Sequence, residues 1–559
     1  MTNKVIAREF KRYAQLMEFH GQNTFKIKAA NSSAEIIGKL PFDVASKSTD
    51  ELSTVSGIGK STALKIQELI QNGTIAELAA LEAQTSAGVL ELLKIKGLGP
   101  KKIALIWNEL GIDTIPEIWY ACKENKIAGL KGFGAKTQAD LQNLLEFTIE
   151  NQGKHRFADI EQVAEDILAL ARQHFNVPVS FTGSYRRLNY LIEEIDLLIA
   201  AGSDDIKKWA ASSGVFTETE TQNEALVYQH ESGLRVVFHA CSQQDFYARL
   251  FSTTGSEGHV EAVKARLGDE IPALESEEQI YKSAKLPYIE PEMREGSGEV
   301  EMAAAGALPT LLNLVDFKGS IHNHSTWSDG VHSIEEMALY CRDVLKLEYF
   351  GISDHSQSAF YANGLKADRL MSQWQEIEAL NEKHAPFKIF TGIESDILSS
   401  GALDYPDEIL SRFDFVVASI HSQLNMDEKK ATQRLIKAIE NPYTTILGHP
   451  TGRKLLVRRA YPIDHRKIID ACAANGVIIE INANPNRLDI DWSWIPYCLE
   501  KGVMLSVNPD AHHTAELSYL KYGLNVARKG GLPATSCFNC LDGGQVGDYF
   551  AQRKLRINR

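Results

Sequence analysis

The C-terminal part of the sequence repeats one unit, in which a short apolar and β-branched run ends in metal-binding side chains and is followed by a helix-like stretch. Seven such runs follow one another from Gly319 onward. Strands that alternate with helices form a parallel sheet, and ligands gathered at the strand ends predict a closed α/β barrel with its site on that face. The candidate side chains at these ends are His322, His324, Asp329, Asp354, His355, Glu394, His421, His449, Asp510 and His512.

The first two histidines of this set lie one residue apart at the end of a predicted strand. Because side chains alternate along a strand, His322 and His324 point the same way and can share one metal ion. Asp329 follows on a predicted loop, and a carboxylate beside imidazoles suits zinc, manganese or iron better than calcium. Gathering so many buried charges without a metal would be too costly. We therefore expect divalent metal ions at this site.

Residues 316–559 resemble the polymerase and histidinol phosphatase (PHP) domain, a distorted (β/α)7 barrel that holds up to three metal ions. The resemblance implies that Glu394 bridges two of the ions, and such a cluster hydrolyses phosphoesters. Arg453 lies a few residues past a candidate ligand and is a candidate phosphate contact, with a solvated loop arginine as the alternative. The ligands that the resemblance implies are His322, His324, Asp329, His355, Glu394, His421, His449, Asp510 and His512.

The N-terminal region is predicted to be helical and contains three glycine pairs. Each pair has one apolar residue between its glycines and a lysine nearby. Glycines in such a turn let backbone N–H groups face outward at a helix N-terminus, where a DNA phosphate can bind. The pairs resemble helix-hairpin-helix modules, which grip the DNA backbone without reading its sequence. Tight turns between helices, without a ligand, are the alternative. The candidate DNA-binding residues are Gly57, Gly59, Lys60, Gly97, Gly99, Lys101, Gly132, Gly134 and Lys136.

The charge of the chain is unevenly distributed. The net charge of -14 by itself argues against nucleic acid as a partner. Residues 1–150, however, hold 18 Lys and Arg against 17 Asp and Glu, whereas the remainder holds 41 against 56. The N-terminal region therefore does not repel DNA. We expect gapped, nicked or 3′-end DNA as the partner, and the sequence identifies no protein partner.

The first hairpin is followed by a lysine that could carry chemistry of its own. Lys65 matches, by resemblance to the lyase domain of family X DNA polymerases, the lysine that forms a Schiff base with an abasic sugar. A desolvated lysine with a lowered pKa performs such chemistry. A solvated helix lysine is the alternative reading of the same position.

Residues 181–199 carry a second nucleotide-processing motif. A Gly-Ser pair with two arginines cradles a triphosphate, and alternate acids on a strand hold two Mg²⁺ ions. The motif resembles the nucleotidyltransferase palm of family X polymerases, and the resemblance to the bacterial polymerases of this family extends over nearly the whole chain. The palm residues concerned are Ser184, Arg187, Glu194 and Asp196.

The palm departs from the family pattern at the metal site. Glu194 stands where the first catalytic aspartate is expected, and Val237 stands at the position of the third carboxylate. An apolar side chain can neither hold Mg²⁺ nor take the proton of a primer hydroxyl. The Thr-Gly-Ser turn at 254–256 also lacks the aromatic pair of the family. We therefore expect polymerisation to be lost or very weak.

The predicted organisation is a multidomain chain of α+β and α/β classes. Its predicted domains are a helical lyase-like domain with a helix-hairpin-helix (1–82), a helix-hairpin-helix fingers-like domain (83–150), a degenerate palm (151–245), a thumb-like domain and linker (246–315) and the PHP barrel (316–559). Seven scattered cysteines and the lack of an apolar leader or a membrane-length apolar run favour a cytoplasmic, nucleoid-associated bacterial protein.

The predicted function is hydrolysis of DNA phosphodiesters at the barrel, as a 3′-5′ exonuclease or a 3′-end phosphoesterase. The sequence leaves three alternatives. An active gap-filling polymerase requires Glu194 to replace the aspartate and a carboxylate elsewhere than Val237. A small-molecule phosphatase of the histidinol phosphatase type would not need the hairpins to bind its substrate. A non-enzymatic module that binds DNA ends would not need the metal ligands.

Overall fold

The computed structural model describes residues 1–222, 225–268 and 270–557, with the chain folded into two compact units, Met1–Gln152 and Gly153–Arg559. Among the described residues, no helix has both the length and the apolar character that crossing a lipid bilayer requires. The finer division into five domains remains a prediction.

The first unit is built from α-helices whose apolar faces meet in one core. The helices begin at side-chain caps or glycines, as at Ser48, where a capping box with Glu51 satisfies the free N–H groups of the first turn. The helices are α1 (Asn3–Phe19), α2 (Thr24–Lys39), α3 (Thr49–Ser53), α4 (Lys60–Asn72), α5 (Ala76–Ala83), α6 (Ala87–Leu92), α7 (Pro100–Leu110), α8 (Ile115–Lys123) and α9 (Ala135–Glu150).

The three predicted hairpins share one backbone design. In each pair the first glycine has a positive φ, between 85° and 106°, and the second is the N-cap of the following helix, α4, α7 or α9. None of these three N-caps makes a side-chain hydrogen bond to the helix. The N–H groups of the first turn therefore keep their capacity to bind an anion.

The second unit begins with a five-stranded sheet in the order β2-β4-β7-β6-β5, in which β4 and β7 are parallel. A two-stranded ribbon, β1 with β3, lies beside it in the sequence. The elements are β1 (His155–Arg156), α10 (Phe157–His174), β2 (Val179–Thr182), α11 (Gly183–Arg186), β3 (Leu191–Ile192), β4 (Glu194–Ile199), α12 (Ser203–Ser213), β5 (Phe216–Gln222), β6 (Ala225–His230), β7 (Arg235–Ala240), α13 (Phe246–Thr254), α14 (Glu257–Leu267), α15 (Glu277–Ser283) and α16 (Glu299–Ala304).

The seven-stranded parallel sheet predicted for the C-terminal region is confirmed, with strands β8 to β14 in sequential order. A bridge between Asn323 and Ala511 brings its two edges together, so the barrel is nearly closed. The elements are β8 (Gly319–Ser320), α17 (Ile334–Asp343), β9 (Tyr349–Ile352), α18 (Ala367–His384), β10 (Lys388–Asp396), α19 (Asp407–Leu410), β11 (Phe415–Ser419), α20 (Glu428–Ile439), β12 (Ile446–Leu447), α21 (His465–Asn475), β13 (Ile478–Asn482), α22 (Ile495–Glu500), β14 (Leu505–Asn508), α23 (Leu520–Lys529) and α24 (Gly543–Ile557).

The five-stranded sheet and the barrel share one continuous apolar core. Polar contacts reinforce it, since the Tyr190 hydroxyl donates to Asp491 at 2.7 Å and the Lys529 ammonium donates to the carbonyl of Arg187 at 3.2 Å. Lys529 also pairs with Glu295, in the segment that precedes the barrel. The second unit is therefore one packed body.

The first hairpin predicts a difference in stability between two neighbouring glycines. A Cβ at Gly57 would overlap Cδ1 of Ile36 and would carry a φ of 85°, whereas a Cβ at Gly59 would meet no atom within 4 Å at a φ of -78°. We expect Gly57→Ala to destabilise the first unit by about 1–2 kcal/mol or more, because L side chains are disfavoured at positive φ.

Gly59→Ala is the matched control and should cost less, roughly 0.5–1 kcal/mol, because it creates no steric overlap and loses only the preference of the α4 N-cap for glycine over alanine. Hydrogen exchange of the α2 and α4 amides in the full chain measures both. Equal exchange in the two variants would contradict the backbone requirement.

Candidate metal centre

The nine residues predicted as ligands lie together at the carboxyl ends of the barrel strands. Within each of four groups the ligand atoms lie within 4.8 Å of one another. The groups are His324 with Asp329, His355 and His512; His322 with His324 and Asp510; His322 with Glu394 and His449; and His355 with Glu394 and His421.

Three of these residues sit in strained backbone just past their strands. His322, His449 and Asp510 have φ values of 66°, 23° and 53°. A positive φ costs a non-glycine residue about 1–3 kcal/mol and persists where the surroundings enforce it, commonly at functional sites. The strand ends are short as well: the predicted run Thr445–His449 contains only the two-residue strand β12. The strands stop early so that their last side chains can turn inward.

One carboxylate, that of Glu394, occupies the centre of the cluster and is almost fully buried. Five imidazoles surround it, which is far more than an ion pair requires. The nitrogen-to-oxygen distances are 2.9 Å for His355, 3.1 Å for His449, 3.2 Å for His322, 3.3 Å for His421 and 3.7 Å for His324.

The acids and histidines of the cluster shift one another's pKa values. Burial raises the pKa of Glu394, but the neighbouring histidines, His421 first among them, hold that pKa well below its ordinary value. Burial and the adjacent His512 and His355 lower the pKa of His324 to about 3. Metal ligands must be deprotonated, and these two side chains are so at neutral pH. Burial lowers the pKa of His421 and of His512, but neighbouring carboxylates raise each to about 9, so a bound metal ion must displace a proton from these histidines.

Several buried atoms of the cluster are left without a hydrogen-bond partner among the described residues. They include Nε2 of His322, Nδ1 of His324, Nδ1 of His355 and Oε2 of Glu394. His355 Nδ1 and Glu394 Oε2 lie 2.9 Å apart, yet neither is hydrogen-bonded. Orphaned buried polar atoms are costly unless something else coordinates them. The donor set of imidazole nitrogens and carboxylate oxygens fits divalent transition-metal ions.

An outer shell of carboxylates orients the inner histidines. The His322 Nδ1 group donates to Glu480 at 2.5 Å, and the His421 Nδ1 group donates to Asp396 at 2.6 Å. Asp354 accepts bonds from the N–H of Ser325 at 2.8 Å and from Gln373 at 2.7 Å. Such partners fix the ring orientation and raise ligand basicity.

Sequence reasoning missed Glu480 and Asp396 as functional residues. Glu480 is the one acid inside the largely apolar strand β13, and that isolated charge is the signal that could have identified it. Asp396 ends β10 two residues after Glu394, on the same face of the strand, and this spacing is its signal. Asp354 was noted at a strand end but is turned away from the ligand groups toward Ser325 and Ser328.

The cluster opens to solvent on one side. The side chains of Asp329 and His512 are 37% and 31% exposed, whereas His322, His324 and Glu394 are buried. Arg487 lies at this end of the barrel, with Nε 3.4 Å from Asp510 Oδ2. A substrate can therefore reach the group formed by His324, Asp329, His355 and His512 directly.

The guanidinium of Arg453, the candidate phosphate contact, is bonded to other groups of the protein. Its Nη1 pairs with Asp491 at 2.8 Å and its Nε donates to the carbonyl of Arg487 at 2.9 Å. The group also lies over the ring of Tyr190, at 4.9 Å from the centroid. The contact with Tyr190 ties this barrel loop to the segment that precedes β3.

Lys65 lies in α4 with its side chain largely covered. Its Nζ is 2.6 Å from Oε1 of Glu77 and 5.4 Å from the ring centroid of Tyr13. The Tyr13 hydroxyl donates to the same carboxylate. The structure therefore places Lys65 in a small polar cluster rather than in free solvent.

The two acids on β4 are paired with cations on the neighbouring strand. Glu194 accepts from Arg235 at 2.8 Å, and Asp196 Oδ1 lies 2.8 Å from Nε2 of His239. The parallel register sets Asp196 opposite Val237, which is buried. The position expected for a third carboxylate is thus apolar in the folded sheet as well as in the sequence.

The predicted triphosphate cradle is occupied by protein groups. Arg187 pairs with Glu295 at 2.8 Å and donates to the carbonyl of Thr254 at 2.7 Å. Its neighbour Arg186 pairs with the buried Glu277. Ser184 lies in the short helix α11 at the carboxyl end of β2.

Comparison with known proteins agrees with both units. The model of the helix-hairpin-helix domain matches residues 1–75, and that of the SAM-like helix-hairpin-helix tandem matches residues 89–142. The DNA polymerase/3′-5′ exonuclease PolX of Bacillus subtilis is 34% identical over 554 residues, which cover 95% of this chain and 96% of that protein. A probable phosphatase of a Thermoanaerobacter species is 31% identical over 192 residues, covering 32% of this chain and 75% of the relative.

The nearly closed barrel and its convergent acids and histidines define a metal-dependent hydrolase of the PHP class, carried on a helix-hairpin-helix protein. The similarity to the Bacillus protein extends over almost the full length of both chains. The chain belongs to the bacterial DNA polymerase X family.

The outer shell makes a testable contribution to metal affinity. In Glu480→Gln the carboxylate that orients His322 becomes an amide of nearly equal size. We expect metal affinity to fall about 10- to 100-fold, because outer partners of ligating histidines typically contribute that much. Titration calorimetry with Mn²⁺ measures the change.

Glu500→Gln, which alters an exposed acid at the end of α22, is the matched control. Undiminished Mn²⁺ affinity in Glu480→Gln would show that the cluster does not hold the metal through His322.

Proposed function

We propose that this protein shortens DNA from a 3′ end by hydrolysing phosphodiesters at the barrel, as a 3′-5′ exonuclease or a 3′-end phosphoesterase. The observation that carries the proposal is the buried Glu394 carboxylate with five imidazoles within 3.7 Å. The name of the Bacillus relative, a DNA polymerase/3′-5′ exonuclease, supports the same activity here.

The proposed ligands are the nine residues of the four groups, with room for up to three ions and with Glu394 bridging two of them. Manganese, zinc or iron suits this mixture of imidazole and carboxylate, which contains no thiolate. When bound, such ions supply hydroxide at neutral pH and stabilise the charge that develops on phosphoryl oxygens.

The residues of the chain hold and orient the reacting groups. Glu480 and Asp396 fix the rings of His322 and His421, so the inner ligands need not reorganise during the reaction. Asp329 and His512, at the open side, meet the substrate first. Arg487 offers a cation beside Asp510 that can attract a phosphate.

The palm serves in this proposal as a scaffold. Arg235 donates to Glu194, Nε2 of His239 lies within hydrogen-bond distance of Asp196, and Val237 cannot contribute a ligand. A productive pair of Mg²⁺ ions is not expected there, because the site lacks one carboxylate and the other two are engaged.

The hairpins bring DNA to the protein. Their glycine turns leave first-turn N–H groups for the phosphates of gapped, nicked or 3′-ended DNA. With chromosomal DNA as its substrate, the protein would act in the bacterial cytoplasm at the nucleoid. Lys65 remains a candidate lyase lysine through the resemblance of its position to the lysine of the lyase domain, and its ion pair with Glu77, 2.6 Å from its Nζ, would have to break before the amine could form a Schiff base.

Digestion of a labelled gapped duplex with Mn²⁺ tests the assignment of activity to the barrel. We expect the intact protein to shorten the 3′ strand, His322→Ala to lose this activity, and Asp196→Ala to keep it, because only His322 lies in the metal cluster. The loss should exceed about 100-fold. Strand lengths on a denaturing gel, with and without deoxynucleotides, provide the measurement.

Asp196→Ala is the matched control for that experiment, since it removes an acid from the palm. Primer extension that disappears only in Asp196→Ala would contradict the scaffold role and favour an active polymerase.

The hairpins predict a specific salt dependence of DNA binding. Replacing Lys60, Lys101 and Lys136 by alanine should weaken binding and reduce the slope of log K against log salt by about one for each lysine that contacts a phosphate. All three lysines are exposed. Fluorescence anisotropy over a salt series measures the slope.

The control replaces the exposed Lys429, Lys430 and Lys467 on outer helices of the barrel. An equal fall in slope for both triple variants would rule out a specific role for the hairpins.

A further inference from the structure

Two adjacent aromatic side chains project into solvent beside the metal cluster. Phe360 is 86% exposed and Tyr361 is 63% exposed, in the turn Phe360–Ala362 that follows β9. The flanking Ala359 and Ala362 are fully buried. A loop that buries its two alanines and presents its two rings places large apolar surfaces where water must solvate them, and such surfaces commonly mark binding sites.

The two rings lie close to the metal cluster and to one another. The Tyr361 ring lies 6.3 Å from the ring of His355, a proposed metal ligand, measured between centroids. The centroid of the Phe360 ring lies 6.2 Å from that of Tyr361, with the two rings inclined at 77°. A polymer whose terminal phosphate reached the cluster would therefore have both rings close to its last nucleotides.

The loop that carries the rings is closed on itself. The Gly364 N–H donates to the carbonyl of Ala359 at 3.0 Å, and the Leu365 N–H donates to the carbonyl of His355 at 2.8 Å. A Cβ at Gly364 would overlap the carbonyl oxygen of Ser356, so the closure requires glycine there.

The same loop is also tied to the metal cluster. The Ser358 hydroxyl donates to Asp396 at 2.9 Å, and Asp396 accepts from His421, a proposed ligand, at 2.6 Å. The backbone that carries the rings is thus held in place relative to the cluster before any substrate arrives. A preorganised platform binds without the entropy cost of ordering a loop.

We propose that Phe360 and Tyr361 form a stacking platform for the terminal bases of a single-stranded 3′ end. This inference rests on the proposed function, and what it adds is the pair of residues that would receive the terminal bases. Every nucleobase has an apolar face that stacks on an aromatic ring, so the platform accepts any sequence. A paired base already stacks within its duplex, so the terminal nucleotides must separate from the template before they bind.

The neighbourhood favours nucleobases over other occupants. A small phosphate ester is fully engaged by the cluster and makes no use of a second ring. The hairpins of the first unit belong to DNA-binding families by their sequence matches. A strand whose phosphate faces the metal ligands has its bases available for the adjacent rings, which accounts for both exposed side chains at once.

The decisive comparison uses two oligonucleotides that differ only in the bases of the last two 3′ nucleotides. One carries normal bases and the other carries abasic tetrahydrofuran residues, so the phosphates are the same. In the presence of Mn²⁺ we expect Phe360→Ala and Tyr361→Ala each to lower kcat/KM for the normal end about 10-fold, the typical effect of one stacked base. For the abasic end we expect no change.

Phe360→Trp, which keeps an aromatic face, should restore the rate on the normal end. Val344→Ala, which removes another exposed apolar side chain of the barrel, is the matched control and should alter neither rate. Equal losses on normal and abasic ends would overturn the platform, because the variants would then be damaging the cluster itself.

A binding measurement separates this inference from the proposed function. In the His322→Ala background, an oligonucleotide with 2-aminopurine at its 3′ end should lose fluorescence on binding, and the added Phe360→Ala and Tyr361→Ala changes should abolish the quenching. Persistent quenching in that triple variant overturns the platform and leaves the rings to a protein partner. If the unchanged protein shortens no DNA while its 2-aminopurine signal is quenched as described, the hydrolytic function fails and the platform stands.

Discussion

The structure of the second unit depends on one buried carboxylate. Glu394 lies on β10 in the middle of the barrel, and the histidines around it come from the ends of β8, β9, β11 and β12. Each of those strands must end at the right height for its histidine to reach Glu394, so the closure of the barrel and the geometry of the cluster specify each other. A carboxylate so deeply buried is stable only when positive charge compensates it, either from protonated histidines around it or from bound cations. The fold therefore fits divalent metal ions as part of its own stability, and the outer carboxylates Glu480 and Asp396 hold the rings in readiness for them.

The palm also brings acidic side chains together, and here protein groups are their partners. Two acids on β4 would repel one another beside a third, and Mg²⁺ would normally offset that repulsion. Here the third position is the apolar Val237, Arg235 on the same strand pairs with Glu194, and His239 lies within hydrogen-bond distance of Asp196. The two arginines of the predicted triphosphate cradle are engaged as well, because Arg187 and Arg186 pair with Glu295 and Glu277. A triphosphate and its metal ions would have to displace these internal partners.

Much of this arrangement was predictable from sequence because strand ends carry a periodic chemical signal. The barrel, the three hairpins and the proximity of nine acids and histidines all follow from residue types that recur at fixed places along the chain. The environment of Arg453 and Lys65 did not follow, because the partners that hold them, Asp491 and Glu77, are ordinary acids with no motif of their own. The role of Glu480 was not predicted for a related reason. Its contact with His322 joins residues far apart in the sequence and is evident only in the folded barrel. Sequence patterns identify ligands that share a periodicity, whereas the residues that orient them are set by packing between distant strands.

That packing also explains why the chain retains a palm that is not expected to polymerise. Lys529, at the end of α23, is buried and donates to the carbonyl of Arg187 in the palm while it pairs with Glu295. Arg453 extends from the loop after His449 to Tyr190 and Asp491. A barrel cut away from the palm would expose the apolar core that the two share and would leave Lys529 without these partners. Arg453 would lose Tyr190 but keep Asp491, which lies in the barrel region itself. The palm is therefore part of the packing that supports the barrel.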